Sequence, residues 1–186
     1  MKALVEATLY RDAGAVERYH VKRIHRHQTI AEHTFGMLML VKQVTEDQGE
    51  YGMQARCQIY EAIMHHDLPE LMTGDVPAPI KRVHPELGPL MDSIEQDLYP
   101  LYREYTLTQE EAALLKWADR MELVLWCLEE FRLGNTYMKP TVARGLGWIL
   151  ASYMPECTRT LTGEVVEESR ILGIEPAQGA ELELNA

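Results

Sequence analysis

The chain has 186 residues, 46% of them hydrophobic, and 29 Asp+Glu outweigh 18 Lys+Arg to give a formal net charge of −11. That length and composition fit one globular domain, and the acidic balance excludes a general nucleic-acid coat, whose affinity rests on basic surface. No apolar run approaches the ~18 residues of a membrane span and the N-terminus has no signal-peptide core. The cysteines, Cys57, Cys127 and Cys157, have no CxxC spacing, which excludes a disulfide framework and makes a reducing cytoplasm the expected compartment.

The apolar residues recur with a helical period nearly throughout, so the expected fold class is all-α. A first short helix covers residues 3–12. Residues 18–27, RYHVKRIHRH, form a basic loop. Thr29-Ile-Ala-Glu32 is a capping box that opens a helix to about Asp47, with Ile30, Phe35, Leu38, Met39 and Val41 expected to face the core. Gly49 and Gly52 end it, and a third helix runs from Met53 to His66 with Ile59, Ala62 and Ile63 inward. Pro69 suits the first turn of a short helix. The glycine and prolines of 73–79, TGDVPAP, demand a fixed loop.

Pro85 or Pro89 starts a further helix to about Tyr105. Thr108-Gln-Glu-Glu111 is a second capping box, opening the most apolar helix, to about Leu133, with Gly134 as its C′ residue. Within it, residues 121–128 are apolar almost all round, which places them in the core on one side and at a subunit interface on the other. Two more helices cover 139–154 and 155–171. Residues 1–173 form one domain and 174–186 an acidic, frayed tail.

Charge inside an apolar helix needs a reason, because a buried carboxylate costs several kcal/mol unless paired or coordinated. Asp119 could simply pair with Lys116 or Arg120, and lone histidines are commonly plain core residues. The adjacent pair His66-Asp67 points elsewhere. It offers an imidazole nitrogen and a carboxylate oxygen to one ion, and with His33 and Asp119 it would make a donor set suited to zinc, cobalt or manganese. Glu70 follows by three and four residues, where a carboxylate can serve as general acid or base, or can merely face the helix dipole.

The series His33…His66-Asp67…Asp119 resembles the H…HD…D signature of the HD-domain metal-dependent phosphohydrolases. Arg18-Tyr19, Ala31-Glu32-His33, His66-Asp-Leu-Pro-Glu70, Thr73-Gly-Asp75, Pro77-Ala-Pro79-Ile-Lys81 and Lys116-Trp-Ala-Asp119 follow in the order seen in bacterial 5′-deoxynucleotidases and the small phage dATP triphosphohydrolases. The resemblance covers roughly residues 15–135 and implies an HD-type bundle of about seven helices. It implies metal ligation by His33, His66, Asp67 and Asp119, water activation by Glu70, and a sugar or acid-base role for Asp75. It further implies phosphate contacts from Arg18, Lys81 and Lys116, with an extra Mg or Co accompanying the substrate.

Tyr19 stands where relatives usually carry tryptophan and is expected to stack on base or sugar. Val21 and Pro79 either shape the base pocket or are plain loop packing. The resemblance also implies a homo-oligomer, dimer or larger, in the cytoplasm, or in a host's cytoplasm if phage-encoded, with a deoxynucleotide as partner and neither nucleic acid nor membrane. Only 52 positions separate Asp67 from Asp119, which is the compact spacing of the phage enzymes. With the basic stretch 18–27 it favours dATP, cleaved to deoxynucleoside and triphosphate by metal-activated water, over a deoxynucleoside monophosphate. A non-catalytic helical partner-binding module is the reading from another class; it would purify without stoichiometric metal.

Overall fold

The computed structural model describes residues 2–46, 51–77, 80, 83–97 and 106–179. Helix α1 (Lys2–Gly14) leads to two short antiparallel strands, β1 (Glu17–Arg18) and β2 (Gln28–Thr29), and then α2 (Ile30–Thr45). After these come α3 (Met53–His65), the single turn α4 (Glu70–Thr73), α5 (Leu87–Asp97), α6 (Gln109–Arg132), α7 (Lys139–Ala151) and α8 (Arg159–Ile171), with 3-10 turns at Thr136–Met138 and Glu156–Thr158. Among the described residues there are thus seven helices of eleven residues or more, the all-α bundle that the periodicity predicts. No helix among them is long and apolar enough to cross a membrane.

Both capping boxes form. Thr29 Oγ1 accepts from the Glu32 backbone N–H while the Glu32 carboxylate accepts from the Thr29 N–H, and Thr108 and Glu111 repeat the exchange. At the far end of α6, Gly134 takes φ +97°. Its N–H donates to Phe131 O and that of Asn135 to Glu130 O, a Schellman closure that a side chain at Gly134 would strain.

Helix α6 is the centre of the bundle, packed on α7, α2 and α3. Met121, Val124, Cys127 and Leu128 are all but inaccessible, and Leu123 and Leu125 are half-buried against the same core. The chain's own helices therefore bury most of the stretch that the sequence divides between core and interface. The phase of α2 also differs from the apolar pattern. Its inward residues are Ile30, His33, Met37, Leu40, Val41 and Val44, whereas Phe35 and Met39 face out at 65% and 46% exposure. The polar His33 takes an inward position, and this sets the rotation of the helix.

Two further expectations shift. The basic loop expected over 18–27 spans 19–27, because β1 pairs with β2 in the register Glu17↔Thr29 and Arg18↔Gln28, which places Arg18 in a strand. The C-terminal segment docks at first: Ile174 and Ala177 are buried and the Ala177 N–H donates to Ala143 O at 2.8 Å. The expected frayed tail from 174 is therefore packed on α7 as far as Ala177, since apolar residues follow the Gly173 turn, while Gln178 and Gly179 are exposed; residues 180–186 lie outside the described residues.

The crossing of α6 and α7 depends on Gly145, where an added Cβ would lie 2.5 Å from Val124 Cγ2. Gly145→Ala is expected to cost about 1–3 kcal/mol by overpacking, read as a lower urea midpoint at unchanged m-value. Combining it with Val124→Ala should recover part of the loss.

Candidate metal centre

Three elements bring the four predicted ligands together. His33 lies in the first turn of α2, behind the Thr29 cap. His66 is the C-cap of α3. Pro69 cannot donate to the His65 carbonyl, so the Leu68 N–H takes it at 3.1 Å, and the chain tightens into consecutive turns that close with Glu70 N–H to Asp67 O at 3.0 Å. The α-helix does not run on through Glu70, as same-face spacing would require; Asp67 sits instead in the tightened corner. Asp119 comes from the middle of α6.

His33 Nε2 lies 3.2 Å from Asp119 Oδ1 and 3.7 Å from Asp67 Oδ2, and His66 Nε2 lies 3.3 Å from Asp67 Oδ1. Ligand atoms of His33, His66 and Asp119 all fall within 4.8 Å of one another. The other ring nitrogens are engaged: His66 Nδ1 with Ile63 O at 2.7 Å, and His33 Nδ1 with Glu122 Oε2. Both Nδ1 atoms therefore carry a proton, and each Nε2 presents a lone pair once no proton occupies it. Each Nε2 is buried without a hydrogen-bond partner, an arrangement that costs free energy unless a cation fills it. Two imidazole nitrogens beside two carboxylates fit a divalent ion of the zinc, cobalt or manganese kind. Asp119 is the open side, with 44% of its side chain accessible against 0%, 18% and 15% for His33, His66 and Asp67, so a ligand reaches the cluster there.

Burial works against a charged His33, but the carboxylates of Asp119 and Glu122 outweigh it and lift the imidazole from 6.5 to about 9. Burial likewise opposes ionisation of Asp119, yet His33, with His66 and Arg18 behind it, holds this carboxyl at about 2.

Arg18 joins the cluster, its Nη1 2.6 Å from Asp67 Oδ2 and its guanidinium 5.6 Å from the Tyr19 ring centre. Tyr19 holds a left-handed φ of +59°, which costs on the order of 1–3 kcal/mol in a non-glycine residue. Asp75 Oδ2 secures that turn by accepting the Tyr19 N–H at 2.9 Å. One face of the Tyr19 ring is stacked on Trp126, 4.5 Å between centroids, and the Arg18 guanidinium stands over the ring. Glu70 is buried at the start of α4. Val21 is 61% exposed on the turn closed by Lys22 N–H to Tyr19 O.

Lys116 lines a groove of about 270 Å³ beside Trp117, Arg120 and Tyr153, a groove to which none of the four ligand candidates contributes. Pro79 and Lys81 lie outside the described residues. Sequence reasoning missed Gln28, Glu122 and Trp126. The available signal was the α6 stripe Asp119, Glu122, Trp126, Glu130, whose steps of three and four put all of them on one face.

A model of the family described as 5′-deoxynucleotidase YfbR-like matches residues 7–162. The chain is 28% identical over 142 residues to the 5′-deoxynucleotidase YfbR of Salmonella arizonae, covering 67% of this chain and 71% of that protein. Among solved structures, a protein from Pyrococcus horikoshii aligns with a TM-score of 0.68 at 20% identity over 90% of this chain and 99% of that one. The cyanophage S-2L HD phosphohydrolase DatZ, bound to dA and one catalytic zinc ion, aligns at 0.54 and 22% over 95% and 88%. These structural likenesses bear on the fold.

With His33 raised from 6.5 to about 9, the metal-free folded protein binds more protons than the unfolded chain between those values. The stability this contributes is fully present below pH 6.5 and is lost as pH rises through 9. Scanning calorimetry in chelator should show Tm falling across that window, and saturating Zn²⁺ should remove the fall, since metal and proton compete for Nε2. A level metal-free Tm would refute the raised pKa of His33.

Proposed function

The chain belongs to the 5′-deoxynucleotidase YfbR-like family, and from that premise we propose that it hydrolyses the 5′-phosphate ester of deoxynucleotides at the His33, His66, Asp67 and Asp119 centre. The observation that carries this reading is the pair of buried, unpartnered Nε2 atoms converging with two carboxylates beside an arginine. A divalent ion held by these four residues supplies charge that lowers the pKa of water and offsets the negative charge growing on phosphoryl oxygens.

The protein's own groups do the rest. Arg18, already at the cluster and shielded from solvent, pairs with phosphoryl oxygens more strongly than a surface cation would. Glu70, at the end of the turn that starts at Asp67, takes a proton from the attacking water. The water oxygen bonds to phosphorus, the bond from phosphorus to the 5′ oxygen breaks, and that oxygen takes up the proton held by Glu70 and leaves as the deoxynucleoside hydroxyl, which restores the Glu70 carboxylate. Asp75 holds the Arg18–Tyr19 turn and faces the sugar. Tyr19, with Val21 and Pro79, is assigned to the base, and Lys81 and Lys116 to phosphate oxygens.

For the substrate we favour dATP, released as deoxyadenosine and triphosphate. The short interval between Asp67 and Asp119 supports this, as do Lys22 and Arg23, which are exposed on the loop that follows Arg18. A deoxynucleoside monophosphate is the second reading, supported by the family description and by the name of the Salmonella relative.

A product assay with dATP and dAMP in Co²⁺, quantifying phosphate and triphosphate separately, distinguishes the two. Triphosphate from dATP with dAMP little touched supports the first, and phosphate from dAMP with dATP inert replaces it with the second. His66→Ala or Asp67→Ala should lose metal and activity together. Glu70→Ala should keep metal and lose turnover by roughly 10²-fold or more; full activity in that variant would remove Glu70 from its role.

A further inference from the structure

Glu122 sits behind His33, on the side of the imidazole away from the ligand cluster. Its Oε2 takes the His33 Nδ1 hydrogen bond and its Oε1 accepts from Gln28 Nε2 at 2.7 Å. All three side chains are buried, His33 at 0%, Gln28 at 3% and Glu122 at 8% exposure. The strand ladder holds Gln28 directly opposite Arg18, so the carboxylate is gripped from β2 and α2 at once. Space for it exists only because residue 36 is glycine: a Cβ there would lie 2.7 Å from Glu122 Cγ and 3.1 Å from Oε1. The two histidines are thus supported unequally, His66 by a backbone carbonyl and His33 by a carboxylate. A carboxylate on Nδ1 both fixes the ring tautomer and makes Nε2 a stronger donor.

The geometry points to Glu122 as a positioning residue of the metal centre, which with Gln28 and Gly36 holds His33 as the Nδ1–H tautomer and strengthens Nε2 as a ligand. This rests on the proposed metal centre. It gives a role to a buried carboxylate that touches neither the ligand cluster's open side nor the substrate cations. It also accounts for Gln28, whose Oε1 is buried without a partner: the amide is turned so that its donor, not its acceptor, meets the carboxylate.

The test titrates chelator-treated protein with Zn²⁺ against a chromophoric chelator and records the visible spectrum of the Co²⁺ form, for wild type, Glu122→Ala, Glu122→Gln, Gly36→Ala and His66→Ala. Glu122→Ala should weaken Zn²⁺ binding 10–100-fold and shift the Co²⁺ bands. Glu122→Gln should lose less, because Gln28 can turn its amide and accept from the new side chain. Gly36→Ala, with every ligand intact, should also weaken binding because it displaces Glu122. Wild-type affinity and spectrum in Glu122→Gln and Gly36→Ala, with unchanged far-UV circular dichroism, would overturn the positioning role; these two variants decide the matter if Glu122→Ala does not fold. Wild type that takes up no metal, or His66→Ala that binds it normally, would overturn the metal centre itself, and this inference with it.

Discussion

The arrangement of this protein turns on one constraint: its central helix carries acidic side chains into the interior, and each must be met there. Glu122 and Glu130 are buried on one face of α6, which also carries Trp126 and the half-exposed Asp119. Glu130 is completely buried. It accepts the backbone N–H groups of His25 and Arg26, the Arg26 Nε–H and the Asn135 amide. Burial resists its ionisation, but the His25 N–H and the other donors hold its carboxyl below the ordinary range. Leaving such a group unmet would cost several kcal/mol, while each bond to a charged acceptor returns only about 1.5–3 kcal/mol net. The gain is therefore mainly in placement: the segment 17–33 has one seat on α6, and any other register would strand a carboxylate.

That seat builds the site. Glu130 fixes the far end of the basic loop, Trp126 stacks on Tyr19, Glu122 meets Gln28 and His33, and Asp119 closes the ligand cluster. The two-residue strand ladder then puts Arg18 beside Gln28, so one rung serves the cluster from the front and from behind. The left-handed turn at Tyr19 is affordable because Asp75 and Trp126 hold it on two sides. A basic loop that looks like solvated surface in the sequence is in part a buried-carboxylate ligand through its backbone, which leaves only some of its cations for a substrate.

The opposite wall is set by covalent restriction. Pro69 cannot continue the hydrogen bonding of α3, so the chain tightens directly after His66 and Asp67 and restarts at Glu70. This corner delivers two candidate ligand atoms and a carboxylate within five residues, through hydrogen bonds between near neighbours. The remaining two candidate ligands depend wholly on how α2 and α6 pack against each other.

Much of this was legible in the sequence for reasons of local chemistry. Helical periodicity, two capping boxes and the Gly134 terminator depend on neighbours within a few residues, and they predict the helices closely. The quartet His33, His66, Asp67 and Asp119 stood out because charge in apolar helices demands a partner, and the structure brings those atoms together. The rotation of α2 was not legible: Phe35 and Met39 satisfy the apolar pattern, but His33 and Gly36 must turn inward to meet Glu122, and that requirement comes from another helix. Gln28, Glu122 and Trp126 were missed because a glutamate in a long helix carries no local mark of burial. The docking of residues 174–177 was missed because it depends on a carbonyl of α7. Spacing along the chain determined which groups could bind or react; only the packing of distant segments decided which of them face each other, since a hydrogen bond or a ligand bond is specified by position in space.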